Sequence, residues 1–144
     1  MSQYNLLHRP RRLRKTAALR NLVRETELTV NDLVFPIFVE ENTDERKPIS
    51  SMPGVFRETE DSLSQKVTEA QELGIQTIIL FGVSHNKDPN GSDSFSANGL
   101  LARMIKTAKQ AAPDLSVIAD VCFCEYTDHG HCGPIAKDGD VDND

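Results

Sequence analysis

The stretch IQTIILFGV, residues 75–83, decides the fold class of this chain. It is apolar on both faces of an extended strand, which is typical of strands in a parallel sheet that is covered by helices. Two similar stretches flank it, DLVFPIFVE at 32–40 and LSVIADVCF at 115–123. The pattern therefore predicts three strands. Because Pro36 has no N–H to donate to a neighbouring strand, we expect the first strand to be distorted or edge-like along part of its length.

Amphipathic helices are predicted between the strands. Residues 59–74 have apolar side chains at helical spacing, and Gly74 follows as a C-terminal stop. The apolar face of this helix is expected to contain Leu63, Val67, Ala70 and Leu73. A second helix, which ends before Pro113, is expected to pack through Leu100, Leu101, Met104, Ile105 and Ala108. A short helical pattern at 16–27 precedes the first strand, and the polar segments 41–55 and 84–99 are predicted to be long loops.

The order β, α, β, α, β predicts an α/β fold. The strands begin at intervals of about 40 residues, and eight such units would form a TIM (β/α)8 barrel of roughly 330 residues. On this interpretation residues 1–31 are a basic N-terminal arm, and residues 32–144 are the first part, about three βα units, of an incomplete barrel domain. An open doubly wound sheet is the competing architecture, but no glycine-rich phosphate loop follows the first strand.

The composition is that of a soluble globular protein, with 38% apolar and 26% charged residues among 144. No apolar run is long enough to span a bilayer and no signal peptide is evident, so a cytoplasmic location is expected. The net charge of −6 argues against nucleic acid as the main partner. The basic residues are concentrated in the first 24 positions, which predicts either a solvated arm or one that binds an acidic surface of another subunit.

All three cysteines lie in the segment CFCEYTDHGHCG, residues 122–133. An odd number of clustered thiols in a reducing compartment favours metal binding or redox chemistry over a disulfide framework. Cys122 and Cys124 would point to the same face of an extended segment, and the glycines at 130 and 133 permit the return that brings Cys132 alongside. Three thiolates suit Zn²⁺ and leave one tetrahedral position open for chemistry.

Other interpretations of this segment remain open. The thiols could be inert buried groups, or two of them could form a redox-active pair while the third takes no part. Alternatively, His129 or His131 could supply the fourth ligand of a structural zinc site. Asp120 lies two residues before Cys122, where its carboxylate could orient a substrate amine or move protons. Alternatively, Asp120 is an inward polar group within the layers of the barrel.

Several motifs together resemble one known family. These are RPRRLRK near the start, NDLVFPIFVEE, SMPGV at 51–55, LFGVSHNKDPNGSD and IADVCFCEYTDHGHCG. From about His8 to Asp144 the chain is similar to porphobilinogen synthase, also called 5-aminolevulinate dehydratase, of the zinc-dependent type. The resemblance implies an α/β barrel lyase of tetrapyrrole (haem) biosynthesis that condenses two molecules of 5-aminolevulinate into porphobilinogen and releases water.

The resemblance also implies roles for individual residues and partners. Cys122, Cys124 and Cys132 match zinc ligands of the family, and Asp120 matches an active-site aspartate. The resemblance leaves room for Mg²⁺ as an additional allosteric ion. It further implies a homo-oligomer, usually an octamer, in which the N-terminal arm wraps a neighbouring subunit.

One part of the family pattern is missing from this chain. The family uses two lysines that form Schiff bases with the substrates, and no lysine among the 144 residues lies in a matching motif. The chain alone is therefore expected to be inactive in the condensation. The alternative is a non-enzymatic zinc-binding interaction module, in which the metal fixes a loop and the basic arm recruits a partner.

Overall fold

The computed structural model describes residues 11–142. The first ten residues of the predicted arm, among them Arg9, and the last two of the acidic tail lie outside the described residues. The main elements in chain order are α1 (Ala17–Leu22), β1 (Val34–Glu40), β2 (Lys47–Pro48), β3 (Phe56–Glu58), α2 (Glu60–Glu72), β4 (Thr77–Val83), α3 (Leu100–Ala111) and β5 (Ser116–Ala119). Short 3-10 turns occupy Arg11–Arg14, Val30–Asp32, Ser92–Phe95 and Phe123–Glu125.

The strands form one sheet in the order β2-β3-β1-β4-β5. The pairs β1–β4, β4–β5 and β1–β3 are parallel, and only the short β2–β3 pair is antiparallel. The predicted α/β class and the three long predicted strands are therefore confirmed. β1 pairs with β4 along its whole length, but it pairs with β3 only at Phe38 and Val39. The half of β1 that contains Pro36 has a neighbour on one side only, so the edge-like prediction is confirmed as well.

Both long helices pack on the same face of the sheet. One continuous apolar core joins β1, α2, β4 and α3, and it consists of Ile37, Val39, Leu63, Val67, Ala70, Ile78, Leu80, Leu100, Met104, Ala108, Ala112 and Leu115. On the opposite face the rings of Phe38 and Phe81 stack with centroids 5.0 Å apart, and Ile118 is 41% exposed. A doubly wound sheet has helices on both faces, whereas the wall of a barrel has them on one. The arrangement favours the barrel.

Helix α2 shows how local sequence sets an element. Thr59 caps it by accepting a hydrogen bond from the N–H of Ser62, whose hydroxyl oxygen accepts one from the N–H of Thr59 in return. The helix ends before Gly74, which has a φ of +81° as a C-terminal stop requires. Leu63 and the other predicted core residues of the helix are buried, but Leu73 is 73% exposed. The prediction was wrong for Leu73 because the residue is the C-cap, where the chain turns away from the core.

Two predicted element boundaries were also wrong. β5 ends at Ala119 rather than at position 123, because the chain leaves the sheet at Asp120 and enters the 3-10 turn Phe123–Glu125. The segment 41–55 is not entirely a loop, since it contains β2 and leads directly into β3. Strands of two and three residues are too short to show an alternating pattern.

The helix predicted before β1 is shorter than its apolar pattern suggested. It covers only Ala17–Leu22, and its apolar side chains lie at the surface, with Leu22 80% and Val23 42% exposed.

Within the described part of the chain, none of the helices combines the length and the apolar character that a membrane span requires.

The core predicts a contrast between two leucines of the same helix. Leu63→Ala removes a side chain that is 1% exposed and should lower the free energy of unfolding by about 2–5 kcal/mol. Leu73→Ala makes the same chemical change at an exposed site and should shift it by less than about 0.5 kcal/mol. Urea unfolding of the full-length gene product measures both. Equal losses would show that the helix packs through a different face.

Candidate metal centre and its surroundings

The candidate site lies at one edge of the sheet. Because β1, β4 and β5 are parallel, their carboxyl ends share an edge, and the residues that follow them are Glu41, Ser84 and Asp120. This is the edge at which barrel enzymes and open α/β proteins place their chemistry. The three cysteines that were predicted as metal ligands follow β5 at this edge.

The three cysteine sulfurs converge on one point. The Sγ of Cys122 lies 3.0 Å from the Sγ of Cys124 and 3.2 Å from that of Cys132, and all three lie within 4.8 Å of one another. None of them is in a disulfide. A zinc ion with three tetrahedral thiolates at ~2.3 Å needs sulfurs ~3.8 Å apart. An outward shift of each sulfur by a few tenths of an ångström meets that requirement, so the donor set fits the ion.

The structure brings the cysteines together by a route that differs from the prediction. Cys122 and Cys124 do not lie on an extended strand, because Cys122 is the N-cap of the 3-10 turn Phe123–Glu125, which contains Cys124. Tyr126 and Thr127 both donate their N–H groups to the carbonyl oxygen of Phe123 and so tighten this turn. The turn itself, rather than the alternation of a strand, directs the two sulfurs to each other.

The sulfurs affect each other's ionisation. The pKa of Cys122 is lowered because the thiols of Cys124 and Cys132 donate hydrogen bonds to its sulfur. The pKa of Cys124 is raised to about 12, first by the same contact with Cys122 and then by burial. The contacts between the sulfurs therefore favour the thiolate form at Cys122 over that at Cys124. A bound dication favours thiolates at all three positions, because metal ligation requires the deprotonated form.

Asp120 lies beside the cysteines but just beyond the strand in which it was predicted. Its N–H donates to the carbonyl oxygen of Leu80 at 3.4 Å, and its Oδ1 accepts the N–H of Cys122 at 3.3 Å. The side chain is half-buried and lines a cavity of about 120 Å³. The cavity is otherwise lined by Ser94, Phe95, Leu101, Val121, Cys122, Phe123 and Tyr126. In the part of the chain that the structure describes, the Oδ2 of Asp120 has no hydrogen-bond partner.

The histidines of the segment are not part of the sulfur cluster. His129 bonds through Nε2 to the carbonyl oxygen of Pro89 at 3.1 Å, and its Nδ1 accepts the N–H of His131 at 3.2 Å. Both of its ring nitrogens are therefore engaged. The ring of His131 stacks on that of His129, with centroids 5.7 Å apart. Among the described residues, the only group of metal-ligating side chains close enough to share an ion is the cysteine trio.

The loop after β4 holds the cysteine segment in place. The N–H of Asp88 donates to the carbonyl oxygen of Tyr126, and the N–H of Asp128 donates to the carbonyl oxygen of Asp88, both at 3.3 Å. Gly91, at a φ of +61°, lies against Tyr126 and Thr127, where an added Cβ would be 3.4 Å from each side chain. The segment 84–92 thus supports the turn that contains Cys124.

A cluster of buried charge at the end of β1 was not predicted. Glu40 is buried, and its carboxylate meets Lys47 at 3.0 Å, Arg57 at 3.4 Å and His85 at 3.4 Å. The hydrogen bond from Lys47 is the largest cause of the lowered pKa of Glu40. The sequence signal that could have predicted this cluster is the pair of consecutive glutamates at the end of an apolar strand. Carboxylates that are buried at a strand end need charged or hydrogen-bonding partners.

The next residue, Glu41, is also buried and has a different set of partners. Its Oε2 accepts the N–H of His85 at 2.9 Å and the hydroxyl of Ser84 at 3.2 Å, and its Oε1 accepts Arg103 at 2.9 Å. Burial opposes ionisation of this carboxyl, but the bonds from His85, Arg103 and Ser84 together lower its pKa. Arg103 also holds Glu60 through two hydrogen bonds of 2.7 and 2.9 Å.

The lysines of α3 have structural roles. The Nζ of Lys109 donates to the carbonyl oxygens of Pro113 and Leu115 at 2.6 and 2.8 Å, which satisfies groups beyond the C-terminus of the helix. Lys106 is exposed on the same helix. Neither lysine lies at the carboxyl edge of the sheet.

Comparison with known proteins gives a consistent result. The profile of the family "Delta-aminolevulinic acid dehydratase" matches residues 7–144. Proteins with this name from Escherichia coli K12 and Halalkalibacterium halodurans are 49% and 48% identical over 140 and 144 residues. These alignments cover 97% and 100% of this chain but only 43% and 44% of the two relatives.

A solved structure gives the same picture. The crystal structure of delta-aminolevulinic acid dehydratase (porphobilinogen synthase) from Toxoplasma gondii ME49, in complex with the reaction product porphobilinogen, matches with a TM-score of 0.87 and 35% identity. The match covers 97% of this chain and 40% of that one. The predicted fold class, an N-terminal part of an α/β barrel, is thereby confirmed. The chain spans less than half the length of these relatives.

The charge cluster at the end of β1 predicts a pH dependence. Because the pKa of Glu40 lies below its ordinary value of 4.5, its ion pairs stabilise the folded state above that pH and cease to do so as the pH falls through the lower, folded-state pKa. Glu40→Gln should therefore cost about 1–2 kcal/mol at neutral pH, and the difference should disappear in acid. Thermal unfolding across this range measures it.

Glu69→Gln is the control for this prediction. Glu69 meets Lys66 at 3.0 Å, but its side chain is 46% exposed, so its loss should change stability by less than about 0.5 kcal/mol. A Glu40→Gln deficit that persists unchanged in acid would contradict the ion-pair explanation.

Proposed function

The chain belongs to the delta-aminolevulinic acid dehydratase family, and from that premise we propose that the protein acts as a porphobilinogen synthase. This reaction condenses two molecules of 5-aminolevulinate into the pyrrole porphobilinogen with loss of water, as a step of tetrapyrrole biosynthesis. The observation that carries the proposal is the convergence of three cysteine sulfurs beside Asp120, at the carboxyl edge of a parallel sheet. The enzyme would be a zinc-dependent lyase of the cytoplasm.

Cys122, Cys124 and Cys132 are proposed as the zinc ligands. Three sulfur donors match the preference of zinc for thiolates, and fewer than four protein ligands is the mark of a catalytic rather than a structural site. When bound, zinc supplies Lewis acidity toward a substrate carbonyl. The protein's own part is to hold the sulfurs in place, through the 3-10 turn Phe123–Glu125 and through Thr127, whose hydroxyl donates to the carbonyl oxygen of His131.

Asp120 is proposed as a catalytic residue. The N–H of Cys122 fixes one carboxylate oxygen, and Asp120 lines the cavity next to the cysteines. A carboxylate held in this way can orient the amino group of a substrate or accept a proton from it. The apolar part of the cavity lining, which includes Leu101 and Phe123, reduces the access of water to the carboxylate.

The alternative of a non-enzymatic zinc-binding module requires a closed site. Such a site would need a fourth protein ligand, and the engagement of both ring nitrogens of His129 argues against that residue. Cobalt substitution distinguishes the two functions, since an open three-sulfur site binds exchangeable water and a closed site does not.

Mg²⁺ as an allosteric ion remains a prediction to which no described residue is assigned.

The Schiff-base chemistry of the family is proposed to lie outside these 144 residues. No lysine among the 144 residues lies in a motif that matches the Schiff-base lysines of the family, and the relatives are more than twice as long as the matched region. We therefore expect the 144-residue chain alone to be inactive, and activity is to be measured on the full-length gene product.

Activity and metal dependence test the proposed function together. The full-length gene product should form a pyrrole from 5-aminolevulinate, lose this activity on treatment with a chelator and regain it with zinc. Cys124→Ala should abolish the metal-dependent activity, and Asp120→Asn should lower kcat by about 10²–10⁴-fold while the protein still binds zinc. Activity that is indifferent to the chelator and to Cys124→Ala would refute the zinc-dependent assignment.

The N-terminal arm is proposed to bind a neighbouring subunit of a homo-oligomer, which is an octamer in the family. Its described part contains apolar side chains that the other residues of 11–142 leave exposed, with Leu22 80% and Leu28 78% exposed. It also exposes Arg12 and Arg20, whose positive charges suit the acidic surface proposed for the partner. Exposed apolar patches mark sites of protein interaction, and arginine is enriched at protein interfaces.

Assembly size tests the role of the arm. Leu22→Asp combined with Leu28→Asp should shift the full-length gene product toward smaller species in sedimentation velocity, because charged groups at the core of an interface oppose association. Leu73→Asp, at a leucine that is 73% exposed on α2, is the matched control and should leave the size unchanged. An unchanged size for the arm variant would remove the arm from the interface.

A further inference from the structure

Glu41 connects the end of β1 to the loop that supports the cysteines. It is only 7% exposed, lies one residue beyond β1, and contacts the first two residues after β4, Ser84 and His85. Its own N–H donates to the carbonyl oxygen of Val83 at 3.1 Å. Backbone and side chain of this one residue therefore fix the point at which the segment 84–92 leaves the sheet.

The contacts continue from this point to the sulfurs. The segment that starts at Ser84 bonds through Asp88 to Tyr126 and Asp128, and Gly91 packs on the same turn. Tyr126 in turn closes the 3-10 turn that contains Cys124. Glu41 touches none of the cysteines, but each contact on the route from Glu41 to Cys124 is a hydrogen bond or a van der Waals contact of the described chain.

We propose that Glu41, held by Arg103, is a positioning residue for the three-cysteine metal site, acting through the segment 84–92. This inference rests on the proposed metal site. Arg103 anchors the carboxylate from the opposite side, since it also holds Glu60 of α2 and donates to the carbonyl oxygen of Asn98 at 2.6 Å. Mutation of residues that hold metal ligands in position, without binding the metal themselves, changes the metal affinity.

Glu41→Gln is the variant that tests the proposal. The carboxylate accepts on both oxygens, from Arg103 on one and from His85 and Ser84 on the other. A glutamine has only one accepting oxygen, and its NH₂ group would face a donor on whichever side it points. The variant should therefore release either Arg103 or the start of the segment 84–92, with almost no change in side-chain volume.

Glu58→Gln provides a matched control. Glu58 is 3% exposed, pairs with an arginine (Arg46, at 2.7 and 2.8 Å) and accepts the hydroxyl of a serine (Ser62, at 2.8 Å). It is thus as buried as Glu41 and has the same kinds of partner. It lies at the end of β3, however, and the described partners of its carboxylate, Arg46 and Ser62, lie outside the segment 84–92. Any effect of general destabilisation should appear in both variants.

Cobalt and zinc titrations of the full-length gene product measure the effect on the metal site. Glu41→Gln should weaken cobalt binding, followed by the thiolate-to-cobalt charge-transfer band, by about 10-fold or more and should alter the shape of the ligand-field bands. Glu58→Gln should stay within about twofold of the wild type. Wild-type affinity in Glu41→Gln, or an equal loss in both variants, would overturn the proposal.

Hydrogen exchange of the metal-free protein gives a readout that does not depend on metal or activity. The amide hydrogens of Asp88 and Asp128 should exchange about 10-fold faster in Glu41→Gln and at the wild-type rate in Glu58→Gln. If the wild type binds no metal at its thiols, the proposed function fails, and the exchange rates still decide whether Glu41 controls the segment.

A milder variant covers the case in which Glu41→Gln does not fold. Ser84→Ala removes the hydroxyl that bonds to Glu41 and accepts the N–H of Asn86, and it leaves the ion pair with Arg103 intact. It should weaken cobalt binding and speed exchange at Asp88 in the same direction, by less than Glu41→Gln. No change in either quantity would overturn the proposal.

Discussion

The parallel alignment of β1, β4 and β5 is the constraint on which the rest of the structure depends. Strands whose starts are about 40 residues apart in sequence end at the same edge, so the chemistry that follows each of them is brought together. The alignment continues beyond the strands, since Glu41 donates to Val83 and Asp120 to Leu80. With both helices on one face, the opposite face and its stacked phenylalanines are available for the interior of a barrel.

Much of the fold could be predicted from sequence because the long elements have clear periodicity. The helix predicted at 59–74 from apolar spacing is observed at 60–72, and the strand predicted at 75–83 from a continuous apolar run is observed at 77–83. The prediction failed where local and tertiary effects compete. Leu73 fits the apolar pattern, yet the helix ends before it could be buried. β2 and β3 are held by pairing with each other and with β1, so their own sequences carried too little signal.

The candidate site was predictable in composition but not in geometry. Three cysteines in one segment indicated a cluster, and the sulfurs do converge. The prediction that Cys122 and Cys124 share one face of an extended segment was wrong, because the strand ends at Ala119 and a tight turn brings the two residues together. The support from Asp88 and Gly91 depends on which loops are neighbours at the edge of the sheet. That information follows from the strand order, which the sequence of the cysteine segment does not contain.

The charges around the sulfurs limit what this part of the chain can do to a substrate. Tyr126, next to the cluster, has its pKa raised to about 12 by burial and by the carboxylates of Asp93, Glu125 and Asp120, so its surroundings oppose a negative charge on the phenol. Three thiolates with a dication still leave a net negative charge, which lowers Lewis acidity.

Three cations at this edge of the sheet are already paired with carboxylates. Arg103 is engaged by Glu41 and Glu60, and Lys47 and Arg57 are engaged by Glu40. These three side chains are therefore not available to balance an anionic substrate at the proposed metal site, which leaves the exposed Lys87 of the segment 84–92 as a described cation of the supporting loop. The relatives, of which this chain matches 43–44% of the length, have further sequence that this chain does not cover. On the proposed function, the cysteine segment would hold the metal, and both the Schiff-base lysines and most of the positive charge for the substrate would be supplied by that further sequence.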